Sequence, residues 1–145
     1  MIRRLTALLV AGLLISACGT VSAASALRSW VRQSSLHSAV ATLRADAVHA
    51  ATALRDASAS AKQLHTVCAV LDFETLQANA ALPTPDDQAT ALLARAYNNF
   101  GAAANECYHA AASAHRRVTA IASLEMGAGA LSEATARISA ASAGS

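Results

Sequence analysis

The chain of 145 residues has two prolines, six glycines and only 3% aromatic residues. So little proline and glycine leaves few helix breakers and few β-turns, and so few rings leave little to line a ligand pocket. Alanine fills the gap. It loses least side-chain entropy in a helix, so the composition predicts an all-α fold. Charge is sparse too, at 14% of residues, with 11 basic against 9 acidic side chains. The basic residues form no patch once the N-terminal segment is set aside, which excludes a nucleic-acid partner. There is no Gly-x-Ser-x-Gly elbow, and Gly127-Ala128-Gly129-Ala130 lacks the Lys and Ser/Thr of a phosphate loop. No nucleophile, base and orienting group can be named together, so the sequence predicts neither enzyme activity nor a cofactor.

One apolar run stands out. Arg3 and Arg4 form a positive n-region and Leu5 to Ala17 an apolar h-region, the pattern of an export signal. The run falls short of the roughly 20 apolar residues needed to cross a bilayer as a helix, which argues against a permanent span. It closes on Leu13-Leu14-Ile15-Ser16-Ala17-Cys18. The last four of these residues, placed at the end of an h-region, resemble the lipobox of bacterial lipoproteins. That resemblance implies a signal peptide over residues 1–17, cleavage before Cys18, and lipid attachment at Cys18 by a diacylglyceryl thioether with palmitate-type chains. Two acyl chains hold a protein stably where one does not. The implied location is extracytoplasmic, on the cell membrane, with the lipid bilayer as first partner. The competing reading is plain secretion with a cut after Val21-Ser22-Ala23, which discards Cys18.

Processing changes the arithmetic. Cutting 17 residues from 145 leaves 128, a single-domain length. Arg3 and Arg4 leave with them, so 11 basic residues become 9, against 9 acidic, and the precursor's pI of about 8.6 says nothing about anionic partners. Cys18 is lipidated or removed in either reading, which leaves Cys68 and Cys107 as a pair. Outside the cytoplasm such a pair becomes a disulfide, provided the fold brings the two Cα atoms within about 7 Å.

Residues 18–27 are small and polar and read as a tether, with a reach of at most ~30 Å. The helical domain is expected over residues 28–140 and a flexible tail over 141–145. From Leu36 the apolar positions Leu36, Val40, Leu43, Ala47, Ala50, Leu54, Ala57, Ala61, Leu64, Cys68 and Leu71 alternate four and three apart, a heptad stripe. Leu27, Trp30 and Val31 extend it backward in a shifted phase, from a start between Ser25 and Ser29. One helix from there to Ala80 would run about 80 Å, too long for a small domain. The place for a break is Asp56 to Ser60, where Asp or Ser can cap a second helix, although the unbroken phase argues for continuity. Leu82-Pro83-Thr84-Pro85-Asp86 is a firm boundary. The next helix starts near Asp86 and Asp87 and carries Ala89, Leu93, Ala96, Phe100, Ala103, Cys107, Ala110 and Ala114. A break near Ser113 to Arg116 precedes a last helix with Val118, Ile121, Leu124, Ala128, Leu131, Thr135 and Ile138. Gly127 and Gly129 on that helix either admit a close neighbour or mark a kink.

These segments predict four helices in an antiparallel up-and-down bundle. A tight hairpin at Pro83 to Pro85 would set Cys68 opposite roughly Asn99 to Gly101, about two turns short of Cys107. Trp30, Thr66-Val67-Cys68-Ala69-Val70-Leu71, the Leu82 to Asp86 turn and Cys107 together resemble small exported helical proteins of high-GC Gram-positive bacteria. The resemblance implies a two-cysteine helical bundle and supplies no activity or substrate.

Two metal arrangements can be drawn. Asp46 with His49, and Glu106 with His109, are acid–His pairs three apart, the spacing that di-metal bundles use, but the further carboxylates those sites need are not selected by any pattern. His65, Cys68, Cys107 and His109 would make a Cys2His2 zinc set, which requires reduced thiols. Otherwise these side chains are solvated residues beside a core stripe. The function expected from the whole is an envelope scaffold that acts through an unidentified protein partner. A metal- or small-ligand-binding lipoprotein is the alternative.

Overall fold

The computed structural model describes residues 22–144, and these form five α-helices with no strand among them. The signal segment, Cys18 and the start of the tether lie outside the described residues. Helix α1, Ala23–Gln33, begins earlier than the expected start between Ser25 and Ser29, so the second half of the tether is helical. The cause is a cap. Ser22 is extended and its hydroxyl accepts the Ser25 N–H at 3.2 Å, after which Ala24 and Leu27 are buried.

Helix α2, Leu36–Arg55, is separated from α1 by Ser34 and Ser35, a break the heptad reading runs through. Leu27 and Leu36 are nine residues apart, which at about 100° per residue puts them on opposite faces of a straight helix. Both are buried, so the chain has to turn between them. Ser35 does this in the left-handed region at φ 51°, and the Trp30 indole N–H donates to the Ala81 carbonyl at 3.1 Å.

Helix α3, Ala61–Asn79, follows a break at Asp56 to Ser60, which decides between the two readings of that stretch. Ser60 and Gln63 form a reciprocal capping box, and Asp56 accepts the Ser58 N–H and hydroxyl at 2.8 and 2.6 Å. Ala57 and Ala61, although in phase, are exposed because the stripe passes through this turn.

Helix α4, Asp87–Tyr108, is capped by the Asp86 carboxylate, which accepts the Ala89 N–H at 2.7 Å. Thr84 is buried in the turn before it and exchanges hydrogen bonds with Thr90 and Asp86. The chain then breaks over His109 to Ala112, a few residues before the expected place, and Ser113 caps helix α5, Ala114–Ala143. The expected tail from residue 141 is helical to Ala143, because Arg28 of α1 donates to the Ser142 carbonyl at 2.6 Å.

Leu43, Leu54, Leu64, Leu71, Leu93, Phe100 and Leu131 supply the large buried side chains of one continuous core. Each helix from α2 to α5 packs on the next, α5 returns to α2, and α1 lies on α5 and α2. The face α5 turns inward keeps Leu124, Leu131 and Ile138 of the expected stripe but is otherwise shifted from it. Val118 is 67% exposed and Ala128 is exposed, while Ala120, Ser123, Gly127, Ala130 and Ala134 are buried. A Cβ at Gly127 would sit 2.8 Å from Phe100 Cδ1, so Gly127 is the close-approach glycine. Gly129 has open space.

Candidate functional site

Cys18 lies outside the described residues. The other two cysteines, in contrast, are well placed. Cys68 on α3 and Cys107 on α4 are joined as a disulfide, with Cα atoms 5.8 Å apart and both side chains buried. The two-turn mismatch of the tight hairpin disappears for a geometric reason. From Cys68 to the end of α3 at Asn79 is 11 residues, whereas from Asp87 to Cys107 is 20. At 1.5 Å per residue α4 therefore starts roughly 14 Å past the end of α3. The linker Ala80 to Asp86 spans that offset.

Around the disulfide the His65 ring stacks on Tyr108, with centroids 4.1 Å apart and planes 7° apart, and His109 meets Tyr108 edge-on. His65 and His109 belong to the zinc set, but its thiols, Cys68 and Cys107, are spent in the disulfide. The di-metal quartet is not assembled either. Glu106 accepts from Arg116 at 3.1 Å, while His49 and His109 are exposed. Asp46 keeps one buried oxygen, Oδ2, without a partner among the described residues. No group of three or more His, Cys, Asp or Glu side chains able to hold a metal occurs among the described residues.

Two surface grooves among the described residues bear on the candidate site. The first, about 290 Å³, runs between α3 and α4 over the disulfide and is lined by Cys68, Phe73, Leu76, Ala104 and Tyr108. Phe73 is 57% and Leu76 61% exposed, with Val70 one turn away also open to solvent. Asp72, Asn105 and His109 add polar groups to its walls.

The second groove, about 250 Å³, lies at the corner between α1 and α2, with Trp30, Ser35, Ser38, Glu74, Gln77 and Tyr97 among its walls. Trp30 is pinned by its bond to Ala81. Tyr97 is 3% exposed, and burial pushes its hydroxyl up to about 12. The groove that Trp30 and Tyr97 share with Glu74 is drawn from four helices, with no local sequence pattern to mark it.

The strongest electrostatic feature is structural. Asp86 is held below the usual carboxylate range by its hydrogen bonds to the Arg137 guanidinium and then by the Ala89 N–H, with both Asp86 oxygens bonded to Arg137. Among the described residues no helix is long and apolar enough to cross a membrane. No family model matches the chain, no curated protein is similar to it in sequence, and no solved structure is similar to it.

Proposed function

We propose that the chain is an exported, lipid-anchored helical lipoprotein, held at the cell membrane through Cys18 and acting as an interaction scaffold of the envelope without chemistry of its own. The observation that carries this reading is the Cys68–Cys107 disulfide. A buried structural disulfide in a small domain belongs to an oxidising compartment, which is where the signal and lipobox pattern would send the chain. Between the two processing readings, α1 favours the lipobox. A cut after Ala23 would remove the Ser22 cap and the first helical residue, whereas a cut before Cys18 keeps both.

The anchor would hold the domain close. Four residues from Cys18 to Ser22 reach at most about 14 Å, less than half of what a tether to Leu27 allows. The end of the molecule carrying Ser22 and Ser142 would then face the membrane, since Arg28 ties the two helix ends together.

We further infer an antiparallel up-and-down order for α2 to α5, with α1 as an additional helix across one end. Along α5, Arg116, Glu133 and Arg137 pair with Glu106, Arg95 and Asp86 of the α4 region, so partners descend as α5 ascends. Near the start of α5, Arg117 donates to the Leu54 and Asp56 carbonyls at the end of α2. Exposed Phe73 and Leu76, beside Tyr108, offer the apolar surface that a protein partner would cover. The metal-binding alternative has no ligand set to support it among the described residues.

Changing Cys18 to Ser tests the anchor. The variant is expected in the medium instead of the membrane fraction, and an unchanged membrane fraction would refute lipidation.

A further inference from the structure

The corner groove holds three polar features that the rest of the fold leaves unused. Tyr97 is 3% exposed, yet its hydroxyl meets no hydrogen-bond partner among the described residues, and burial alone accounts for its raised value. The ring is buried, and the hydroxyl is left to find its partner from the groove. The N-terminus of α2 is also bare. Ser35 stands at the N-cap in the left-handed region with no side-chain cap bond, so the first N–H groups of α2, with Leu36 and Ser38 on the groove wall, are met by no described side chain. A 20-residue helix directs the positive end of its dipole there. Glu74 of α3 is half-buried on the groove wall and has no cationic partner among the described residues. Trp30, fixed by Ala81, supplies one side wall.

The combination is selective. A multiply charged anion such as phosphate would meet the Glu74 carboxylate with no Lys or Arg on the walls to offset it. A simple amine would satisfy Glu74 and leave the Tyr97 hydroxyl and the α2 N–H groups unmet. A neutral polyol would leave both charges unmatched. A ligand with a carboxylate at one end and an ammonium at the other satisfies all three features. At about 250 Å³ the groove lies just below the roughly 300–1,000 Å³ usual for ligand sites, so the ligand is small.

We propose that this groove binds a small zwitterionic α-amino acid with a neutral side chain, its carboxylate held by the Tyr97 hydroxyl and the α2 N-terminus and its ammonium by Glu74. The site would make the envelope protein a sensor or carrier of free amino acid, independently of whether Cys18 is lipidated.

Trp30 is the chain's single tryptophan, so its fluorescence reads the groove directly. The full chain, purified with its disulfide formed, is titrated with alanine, acetate and ethylamine by Trp30 fluorescence and by calorimetry. Alanine is expected to give a saturable signal, with acetate and ethylamine each binding at least about tenfold more weakly, since each forfeits the charge-assisted hydrogen bonds of one end. Tyr97→Phe keeps the ring and Glu74→Gln keeps the shape, and each is expected to weaken alanine by about tenfold on the same grounds. Should Tyr97→Phe fail to fold, the half-exposed Glu74→Gln carries the test. No saturable heat or fluorescence with millimolar alanine overturns the proposal. So does acetate binding as tightly as alanine, or unchanged alanine binding in folded variants.

Discussion

Single residues carry more of this fold than their size suggests, because in an alanine-rich core each methyl group counts. Gly127 and Gly129 separate the packing and helix-propensity effects of a methyl group. At Gly127 a methyl group would press on the fully buried Phe100 ring at 2.8 Å, and overpacking of that kind costs about 1–3 kcal/mol. At Gly129 it meets nothing, so only the helix gain of up to about 1 kcal/mol remains. Thermal unfolding is expected to show Gly127→Ala destabilised and Gly129→Ala stabilised. Asp86 contributes to the acid limb. Its value is lowered below the ordinary 3.8, so the stability it contributes is complete above that pH and is lost as pH falls through the lower folded value. Asp86→Asn, which can still cap α4, is expected to lower Tm at neutral pH, with the gap to the parent closing below about pH 4. Neither effect was legible beforehand. The spacing of Gly127 and Gly129 leaves open which one meets Phe100, and the acid pair at 86 and 87 predicts a helix start without naming Arg137.

At the scale of elements, apolar periodicity served well where large and small residues alternate and failed where they do not. The stripes from Leu36 to Leu54, Leu64 to Leu71 and Ala89 to Ala110 are the faces the structure buries. On α5 alanines occupy every side, so the eye follows Val118 and Ile121, while packing against α4 selects Ala120, Gly127 and Ala134 because only small residues let the two backbones approach. The α1–α2 break lacked Gly or Pro. Yet the half-turn offset between Leu27 and Leu36 was a usable signal for it, and reading through that offset is why four helices were expected where five occur among the described residues. The α2–α3 break rests on the Ser60 capping box and on Arg117 reaching the last carbonyls of α2. Ser60→Ala is expected to cost about 1 kcal/mol, read as a fall in Tm, with faster amide exchange confined to the first turn of α3. Loss of protection spread evenly through the bundle would contradict a local cap.

The whole molecule is closed by the disulfide, which bridges positions 39 apart. In the chain-entropy model a loop of that length contributes about 4 kcal/mol, against a total of roughly 5–15 kcal/mol for a domain of this kind. Replacing both cysteines by alanine is accordingly expected to lower the denaturation midpoint by a large fraction while the α3–α4 pairing survives in the folded fraction. The sequence favoured this pairing on compartment and opposed it on register; the seven-residue linker Ala80 to Asp86 resolves that conflict, since a loop that long need not be a tight hairpin. The candidate site was the least legible part. Trp30, Ser38, Glu74 and Tyr97 come from four helices and share no spacing, so only the fold brings them to one groove. The central claim, however, concerns Cys18 and the oxidised pair together, and one measurement reads both. Intact mass analysis of the protein extracted from the cell envelope without reductant should find a chain that begins at Cys18, bears acyl lipid and has Cys68 joined to Cys107. A chain that retains residues 1–17, or begins after Ala23 without lipid, or carries two free thiols would contradict it.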